Sequence, residues 1–185
     1  MSNAKAALRN EARARRKQFV SSLPDGRFLP PLSQFSSWFD HGVAIASYCP
    51  VGSEADPVAI EAMAIAAQCL VSWPRVGDRD FGGFRTLEPR MVWEKGPHNI
   101  SQPPSDGSLT RPRLILVPLL AFDRSGTRLG QGAGWYDHVL PQHPDAIRIG
   151  VGWSAQEMDE LPREDWDIPM HYILTEKEWI DCGQS

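Results

Sequence analysis

LILVPLLAFDRSGTRLGQGAGWYDHVL, residues 114–140, is the stretch that decides the fold. It begins with five consecutive apolar residues, 114–118, a pattern typical of a strand buried on both faces of a sheet. The turn AFDRSG follows, and the segment after Arg128 leads into a helix that Pro141 is expected to end. A strand, a glycine-rich turn and a helix start in this order place backbone N–H groups side by side. This order predicts an anion-binding site.

The glycine-rich loop before that helix carries the residues that this anion site requires. Gly130, Gly132 and Gly134 allow the backbone to approach a ligand closely. Arg128 supplies a fixed cation, and Asp137 could hold a metal ion. The spacing G-x-G-x-G differs from the dinucleotide fingerprint, and the chain has neither the Lys-Ser/Thr pair of a Walker loop nor a G-x-S-x-G motif. A phosphate cradle with one trailing carboxylate suits a nucleoside triphosphate with Mg²⁺.

Two aromatic residues, Trp135 and Tyr136, follow the glycine loop directly. Their rings could stack on a planar ligand, and packing in the core is an equally good interpretation.

The first segment, residues 4–20, is composed of good helix formers. At 100° per residue its basic side chains share one side, and an apolar stripe of Leu8, Ala12, Phe19 and Leu23 adjoins them. One interpretation is a solvated basic face. The other is an arm that docks by its apolar stripe and turns its first two cations, Lys5 and Arg9, toward phosphates.

Residues 42–74 show the pattern of a βαβ unit, with strands at 42–48 and 69–74 and a helix at 57–68. The loop after the first strand then lies at the carboxyl edge of the sheet, where α/β proteins bind ligands. Cys49 and Glu54 lie in this loop. Glu54 is either an acid favoured by the helix dipole or a ligand contact.

The remaining segments complete an α/β pattern. Strands are predicted at 81–87 and 91–96, as parts of a hairpin or a meander, and residues 97–112 are predicted to be a surface loop. A buried strand is expected at 146–153 and a last strand at 172–175, where Thr175 and Glu178 resemble a capping box that begins a short final helix. Asp167 precedes Ile-Pro, so it is either a turn residue or a ligand.

The composition is that of an ordinary globular protein: 185 residues, a net charge of −4 and 42% hydrophobic residues. This length fits one domain, and the net acidity argues against a nucleic-acid-binding surface. Three cysteines without a C-x-x-C pair, and five histidines without zinc spacing, indicate neither a disulfide framework nor a zinc site. Without an apolar leader or an apolar run of about 18 residues, we expect a cytoplasmic protein without membrane contact.

The string PLLAFDRSGTRLGQGAGWYD, residues 118–137, resembles the signature of the 5-formyltetrahydrofolate cyclo-ligase (methenyltetrahydrofolate synthetase) family. Shorter matches occur in the family's order: K-x-x-x-R at the start, Y-x-P-x-x-x-E, WPRV, IGVGW, LPRExxD and ILTE. The resemblance implies ATP-dependent conversion of 5-formyltetrahydrofolate to 5,10-methenyltetrahydrofolate through a phosphorylated formyl intermediate, with release of ADP and phosphate. Transfer of this kind depends on positioning and charge neutralisation, which agrees with the residues present.

The resemblance also implies a set of site residues. Arg128 and Lys5 are expected to act on the transferring phosphoryl group, and Asp137 and Asp167 to bind Mg²⁺. The expected ATP contacts are Lys5, Arg9, Arg128, Leu129, Gly130, Gln131, Gly132, Ala133, Gly134, Trp135 and Tyr136. The expected contacts of the reduced folate are Cys49, Glu54, Gln131, Gly132, Ala133, Gly134 and Trp135.

Four positions depart from the family pattern: Pro57, Gln102, Trp166 and His171. They leave open a paralogue that binds a nucleotide or a folate without turnover. An RNA-binding module that uses the basic helix is a further alternative, disfavoured by the net acidity and the lack of an RNA-binding motif.

We therefore predict one α/β domain over residues 1–185. It should have three layers, with a mainly parallel sheet flanked by helices on both faces and a small antiparallel excursion near 81–96. A monomer or a weak homodimer is expected.

Overall fold

The computed structural model describes residues 3–24, 28, 30, 33–77, 83–88 and 91–183. Its α-helices are α1 (Asn3–Ser22), α2 (Val58–Ala66) and α3 (Trp135–Val139), and short 3₁₀ turns lie at Ser33–Ser37, Pro97–Asn99, Leu140–Gln142 and Ser154–Gln156. The strands are β1 (Ala44–Ala46), β2 (Leu70–Arg75), β3 (Gly83–Thr86), β4 (Glu94–Lys95), β5 (Ser101–Gln102), β6 (Leu114–Pro118), β7 (Ala121–Phe122), β8 (Arg128–Leu129), β9 (Ile147–Val151), β10 (Tyr172–Leu174) and β11 (Trp179–Asp181).

Seven strands form one sheet in the order β11-β10-β9-β6-β1-β2-β3. The five inner strands are parallel, and the two edge strands, β11 and β3, are antiparallel to their neighbours. From β1 the chain moves to β2 on one side, whereas from β6 it moves to β9 and β10 on the other. The strand order therefore reverses between β1 and β6, which is the place where open α/β sheets bind ligands.

Apolar side chains on the parallel strands alternate between two cores because successive residues of a strand point to opposite faces. Ile45, Leu114 and Leu116 pack on one face with α2 and the 33–37 turn, and Ala46, Ile115 and Val117 pack on the other with α3. Helices thus cover both faces of a mainly parallel sheet, which confirms the predicted fold class.

The structure also confirms the apolar stripe on α1. Ala12 is buried and the partly buried Leu8 packs against the same cluster, while Phe19 and Leu23 pack against the α2 side of the core. The aromatic residues after α1 point inward as well, since Phe35 is fully buried.

The predicted hairpin between 81–87 and 91–96 is wrong in its pairing; residues 81–82 lie outside the described ranges. Strand β3 pairs with β2, and Trp73 lies opposite Arg85. Strand β4 pairs instead with β5, so part of the predicted 97–112 loop is a strand. Pairing with β2 extends the main sheet.

The predicted final helix is also wrong. Thr175 Oγ1 accepts hydrogen bonds from the N–H groups of Lys177 and Glu178, which forms a tight turn, and β11 then returns antiparallel to β10. The side chain of Trp179 explains this choice. Its ring lies 5.4 Å from Phe35 and 5.0 Å from Tyr172, so strand geometry buries an aromatic ring that an exposed terminal helix would leave in water.

Candidate active site

The glycine-rich loop lies at the carboxyl edge of the sheet, and its backbone requires glycine at two positions. Gly132 has φ +104° and Gly134 has φ +70°, values in the left-handed region that side chains disfavour. The helix that follows, α3, has five residues. If this loop binds an anion, as the sequence predicts, the loop backbone and side-chain cations would contribute more than a helix dipole.

Arg128, on β8, joins two of the expected site elements through one guanidinium group. Its Nη2 donates to Asp137 Oδ1, and its Nη1 donates to the backbone carbonyl of Ile168, the residue after Asp167. The Arg128 side chain is 6% exposed, against 39% for that of Asp137. Burial lowers the pKa of Arg128, and the nearby carboxylates of Asp137 and Asp167 oppose the shift. Arg128 is thus a fixed cation flanked by both predicted metal ligands.

Lys5 brings the start of the chain to the same place. Its Nζ lies 3.1 Å from Glu164 Oε1 and 3.3 Å from Asp167 Oδ2. Burial works against the charge of Lys5, but the two carboxylates outweigh it, so the pKa of Lys5 is raised. Asp167 Oδ2 also accepts the backbone N–H of Glu164 at 2.8 Å. Asp167 is therefore both a turn residue and the ion-pair partner of Lys5.

The middle turns of α1 contact the glycine loop directly. Arg9 Nε donates to the carbonyl of Gly130 at 3.0 Å, and Arg13 Nε donates to Gln131 Oε1 at 3.1 Å. The interpretation of the basic residues as a purely solvated face is therefore wrong for the side chains that reach the loop. These bonds hold the backbone carbonyl of Gly130 and the side-chain amide of Gln131.

Glu54 and Arg16 form the part of the site that connects the two central strands. Arg16 is 5% exposed, and its guanidinium contacts Ser53 Oγ after β1 and the carbonyl of Leu119 after β6. Its Nη1 lies 3.7 Å from Glu54 Oε1. Burial lowers the pKa of Arg16, and Glu54 opposes this shift. Arg16 therefore occupies the position at which the strand order reverses.

Gln131 connects the Glu54 side of the site to the loop. Its Nε2 donates to Glu54 Oε1 at 3.2 Å, while Glu54 Oε2 accepts the backbone N–H of Val51 at 2.9 Å. Gln131 thus links Glu54, the expected folate contact, to the loop that is expected to bind ATP. Leu129 is buried, and Ala133 is exposed beside Gly132.

The aromatic pair at the start of α3 serves partly as core. The Trp135 ring lies 5.4 Å from Phe84 and 4.9 Å from Tyr136, edge to face in both cases. Cys49 is half-buried, and burial, with a smaller effect of Glu61, raises its pKa to about 11. Its thiol is therefore a neutral group at pH 7.

The carboxylates fit Mg²⁺ only as a phosphate-dependent site. Within the described ranges, no group of three or more His, Cys, Asp or Glu side chains is placed to hold a metal ion. Mg²⁺ commonly takes one or two protein carboxylates and completes its shell with water and substrate phosphates. Asp137 and Asp167 supply hard anionic oxygens of this kind, and the negative charge of each stabilises the charged form of Arg128.

The sequence did not single out Arg13, Arg16, Ser53 and Glu164 for the site. Helical periodicity placed the two arginines on the same side as Lys5 and Arg9, but it does not show which residues cover that side. Glu164 lies within the LPRExxD match, three residues before Asp167, and this spacing was its only signal.

The departures from the family pattern mostly have structural roles here. Gln102 is buried, and its Oε1 accepts the N–H of Val76 at 3.2 Å. His171 Nδ1 accepts the backbone N–H of Arg148 at 2.9 Å. Pro57 is buried at the start of α2, and Trp166 is 68% exposed.

Comparison with known proteins identifies a family for this chain. Residues 1–176 match the model of the 5-formyltetrahydrofolate cyclo-ligase family. The chain is 33% identical over 153 residues to the 5-formyltetrahydrofolate cyclo-ligase of Mycolicibacterium smegmatis, a match that covers 75% of this chain and 76% of the relative. It is also 41% identical over 63 residues to the Haemophilus influenzae enzyme of the same name. This match covers 33% of this chain and 34% of that relative.

A solved structure supports the same assignment. The 5,10-methenyltetrahydrofolate synthetase of Aquifex aeolicus superposes with a TM-score of 0.67 and 25% identity, covering 98% of this chain and 94% of that one. The family and the kind of enzyme expected from the signature are thereby confirmed. The chain belongs to the 5-formyltetrahydrofolate cyclo-ligase family.

Proposed function

We propose that this protein closes the ring of 5-formyltetrahydrofolate to 5,10-methenyltetrahydrofolate at the expense of ATP, releasing ADP and phosphate. The observation that carries the proposal is the position of the loop at 130–131. The cations Arg9 and Arg13 of α1 contact it on one side, and Glu54 contacts Gln131 on the other. A nucleotide on the cationic side and a folate at Glu54 would meet at this loop.

The chemistry requires positioned charge and no protein nucleophile. The formyl oxygen takes the γ-phosphoryl group of ATP, and ADP leaves. N10 of the folate then attacks the formyl carbon and loses its proton, and the C–O bond breaks as phosphate departs. Negative charge on the transferring group is what the protein must neutralise. Arg128 is a buried cation available for this role, and Lys5, which contacts Glu164 and Asp167, is a second one.

The carboxylates Asp137 and Asp167 would hold Mg²⁺ together with the ATP phosphates. The ion, when bound, neutralises phosphate charge. In the arrangement described here Arg128 and Lys5 contact these two carboxylates. Each cation would therefore exchange a protein carboxylate for a phosphate oxygen when the nucleotide enters.

A steady-state assay for the methenyl product tests the proposal. The purified protein with 5-formyltetrahydrofolate, ATP and Mg²⁺ should form product and ADP in equal amounts, and omitting ATP should abolish product formation. Binding of both ligands without product would contradict it and would favour the non-turnover paralogue that the departures at Pro57, Gln102, Trp166 and His171 had suggested.

The expectations about partners and location stay predictions. They include the monomeric or weakly dimeric state, the cytoplasmic location, and the absence of nucleic-acid and membrane partners. Among the described residues, none of the helices combines the length and the apolar character that a bilayer crossing requires.

A further inference from the structure

Arg16 on α1 and Glu54 in the loop after β1 form a buried ion pair. Arg16 Nη1 lies 3.7 Å from Glu54 Oε1, and the two side chains are 6% and 8% exposed. Removing two charges from water is costly, so a buried pair is often no more stabilising than apolar residues of the same volume. Stability alone therefore does not explain the charges at this place, and a role in the site is the better explanation.

The guanidinium of Arg16 is fixed by acceptors that follow two different strands. Its Nε donates to Ser53 Oγ at 3.1 Å, in the loop after β1, and its Nη1 donates to the carbonyl of Leu119 at 3.4 Å, directly after β6. The same carbonyl accepts a hydrogen bond from Gln156 Nε2 at 2.6 Å. The cation is therefore held where the strand order reverses, and it cannot move without breaking bonds to both loops.

A third strand fastens the same two loops. Trp153, which follows β9, donates from its indole Nε1 to the carbonyl of Ser53 at 3.0 Å, and its backbone N–H donates to Gln156 Oε1 at 2.7 Å. Together with the bonds of Arg16, these contacts form a closed ring of hydrogen bonds that joins the loops after β1, β6 and β9. Arg16 is the charged member of this ring, and Glu54 is its ion-pair partner.

The carboxylate of Glu54 has one internal bond and one replaceable bond. Its Oε2 accepts the backbone N–H of Val51 at 2.9 Å, within its own loop, whereas its Oε1 accepts Nε2 of Gln131 at 3.2 Å, from the glycine loop. Gln131 is exposed, so a ligand can take its place at Oε1. The 3.7 Å separation from Arg16 is longer than a hydrogen bond, and it leaves the lone pairs of Oε1 available to that ligand.

The chemistry of the carboxylate selects the ligand at this place. An ionised carboxylate only accepts hydrogen bonds, so the group that replaces Gln131 is an N–H or O–H donor. The phosphate oxygens of ATP are anionic and would be repelled by Glu54, whereas the amino and ring N–H groups of a reduced folate are donors. Glu54 therefore fits the folate and not the nucleotide phosphates.

We propose that Arg16 is a positioning residue of the folate site: it holds the Glu54 carboxylate in the orientation that receives an N–H group of the reduced folate, and it touches neither ligand. This inference rests on the proposed function, and it adds a residue outside those that the family resemblance implies. In the free protein Gln131 occupies Oε1. In the complex the folate takes that place, while Arg16 and Val51 keep the carboxylate where it was.

Folate affinity in a double-mutant cycle tests this role. With 5-formyltetrahydrofolate as the probe in titration calorimetry, without nucleotide, Arg16→Gln and Glu54→Gln should each raise the Kd by at least about tenfold. Adding Arg16→Gln to Glu54→Gln should then change the Kd by less than about threefold, since residues that act through one contact are not additive. If the two substitutions multiplied their effects in full, Arg16 would act independently of Glu54 and the proposal would be overturned.

Melting temperatures separate positioning from a general loss of structure. Each single variant leaves one buried charge unpaired and should melt at a lower temperature, whereas the double variant leaves neither charge alone and should recover part of the loss. Arg148→Gln is the control, because it removes another part-buried arginine, whose Nε donates to the Pro169 carbonyl. It should lower the melting temperature and leave folate affinity unchanged. If it weakened folate binding as much as Arg16→Gln does, the effect would be one of stability and the proposal would be overturned.

Arg16→Lys replaces Arg16→Gln if the latter does not fold. Lysine keeps the charge, but a single ammonium cannot contact Ser53 and Leu119 as the planar guanidinium does. The Kd for 5-formyltetrahydrofolate should rise by about three- to tenfold, and the rise should again disappear in the Glu54→Gln background. Affinity for a non-hydrolysable ATP analogue should stay within about threefold of the wild type in each Arg16 variant, because Arg16 does not reach the nucleotide. An equal loss for both ligands would overturn the proposal.

These binding measurements need no turnover, so they separate this proposal from the proposed function. Wild type that binds 5-formyltetrahydrofolate but forms no methenyl product with ATP and Mg²⁺ would contradict the proposed function alone. Equal folate affinity of the wild type and the Arg16 variants would overturn the role of Arg16 alone. Wild type that binds no folate would overturn both.

Discussion

At the scale of single residues, each cation expected to act on ATP already has an anionic or carbonyl partner within the protein. Arg128 contacts Asp137 and the Ile168 carbonyl, and Lys5 contacts Glu164 and Asp167. Pairing of this kind keeps buried charges from being left uncompensated, which would be strongly destabilising. Under the proposed function, a nucleotide phosphate would replace the carboxylate in each pair, so the cations would be satisfied in the free protein and in the complex.

Arg128→Lys tests whether the planar fork is needed. Lysine keeps the positive charge, but a single ammonium cannot reach Asp137 and the Ile168 carbonyl as the guanidinium does. We expect kcat/KM to fall by about 10- to 100-fold, measured by steady-state product formation.

Arg148→Lys is the matched control for that experiment. Arg148 Nε donates to the Pro169 carbonyl at 3.0 Å, the carbonyl next to the one that Arg128 holds. Both substitutions should lower the melting temperature by similar amounts, while Arg148→Lys retains most of the turnover. Equal losses of turnover would show that Arg128 acts by positioning the 168–169 segment.

His171 gives the protein a predicted pH dependence of stability. Burial and the nearby Arg148 lower its pKa, so the unfolded chain takes up a proton at a higher pH than the folded one does. The contribution of His171 to stability is therefore fully present above about pH 6.5 and is lost as the pH falls through the pKa of the folded state. Melting temperatures between pH 8 and pH 5 should fall more for the wild type than for His171→Asn.

Exposed His41 supplies the control. His41→Asn should follow the wild-type curve across the same pH range. If the curve for His171→Asn coincided with both, His171 would not be the source of the pH dependence. His143 would then be the remaining candidate, because burial and Arg111 lower its pKa as well.

The sequence showed which residues have the chemistry that the site requires. It showed less about which of them are in contact in the folded protein. The signature identified Arg128 and Asp137 from their place around the glycine loop, and the structure joins them. Arg16 was not identified, because a position on a helical wheel does not show that Leu119 and Ser53 approach it from two different strands. A buried arginine at that place follows from tertiary contact alone.

At the scale of elements, the inner strands were predictable and the edges were not. The inner strand β6 is a continuous apolar run because both faces of the sheet are covered, and β9 consists of apolar residues and glycine except at Arg148. The edge strands β3 and β11 are short and half-exposed, so their composition also fits hairpins and turns. The Thr175–Glu178 pattern supports a tight turn as readily as a helix start, and only the aromatic cluster around Trp179 distinguishes the two.

Helix α1 is the element whose role can be tested as a unit. The double substitution Lys5→Ala and Arg9→Ala removes the two cations nearest Asp167 and Gly130. Affinity for ATP should fall by about 1–3 kcal/mol, because charged hydrogen bonds to phosphate are lost. The loss should be greater at low salt than at high salt. Titration calorimetry with a non-hydrolysable ATP analogue measures both effects.

The same helix offers a control of equal charge. Arg15 and Lys17 are exposed on α1, and replacing both by alanine removes two positive charges from the surface. Surface charges of this kind contribute little, so the affinity should stay close to that of the wild type. If both double variants lost the same affinity for the ATP analogue, α1 would contribute to binding only through its overall charge.

At the scale of the whole molecule, the topology brings distant parts of the chain to one edge of the sheet. Lys5 and Asp167 are 162 residues apart in sequence, and Gln131 and Glu54 are 77 apart. All of them follow or cover the carboxyl ends of β1, β6 and β9, where the strand order reverses. A βαβ pattern in the sequence predicts that edge. The docking of α1 was one of two interpretations of its apolar stripe, and the family resemblance favoured it.

Because both predicted metal ligands depend on this assembly, a Mg²⁺ titration tests the site as a whole. Asp137→Asn and Asp167→Asn each remove one anionic oxygen and also break a contact with Arg128 or Lys5. Loss of the ion pair alone would lower turnover equally at every Mg²⁺ concentration. Loss of a metal ligand would raise the Mg²⁺ concentration for half-maximal turnover by about tenfold or more, at saturating ATP.

Exposed Asp145 gives the matched control, since Asp145→Asn removes the same charge away from the site. Its Mg²⁺ curve should coincide with that of the wild type. The melting temperature with ATP, measured as a function of Mg²⁺, should show the same displacement for Asp137→Asn and Asp167→Asn without any turnover, since ligand binding stabilises the folded state by mass action. If all four curves coincided, neither residue would bind the metal. Displacement for Asp137→Asn alone would leave Asp167 as the turn residue that holds Lys5.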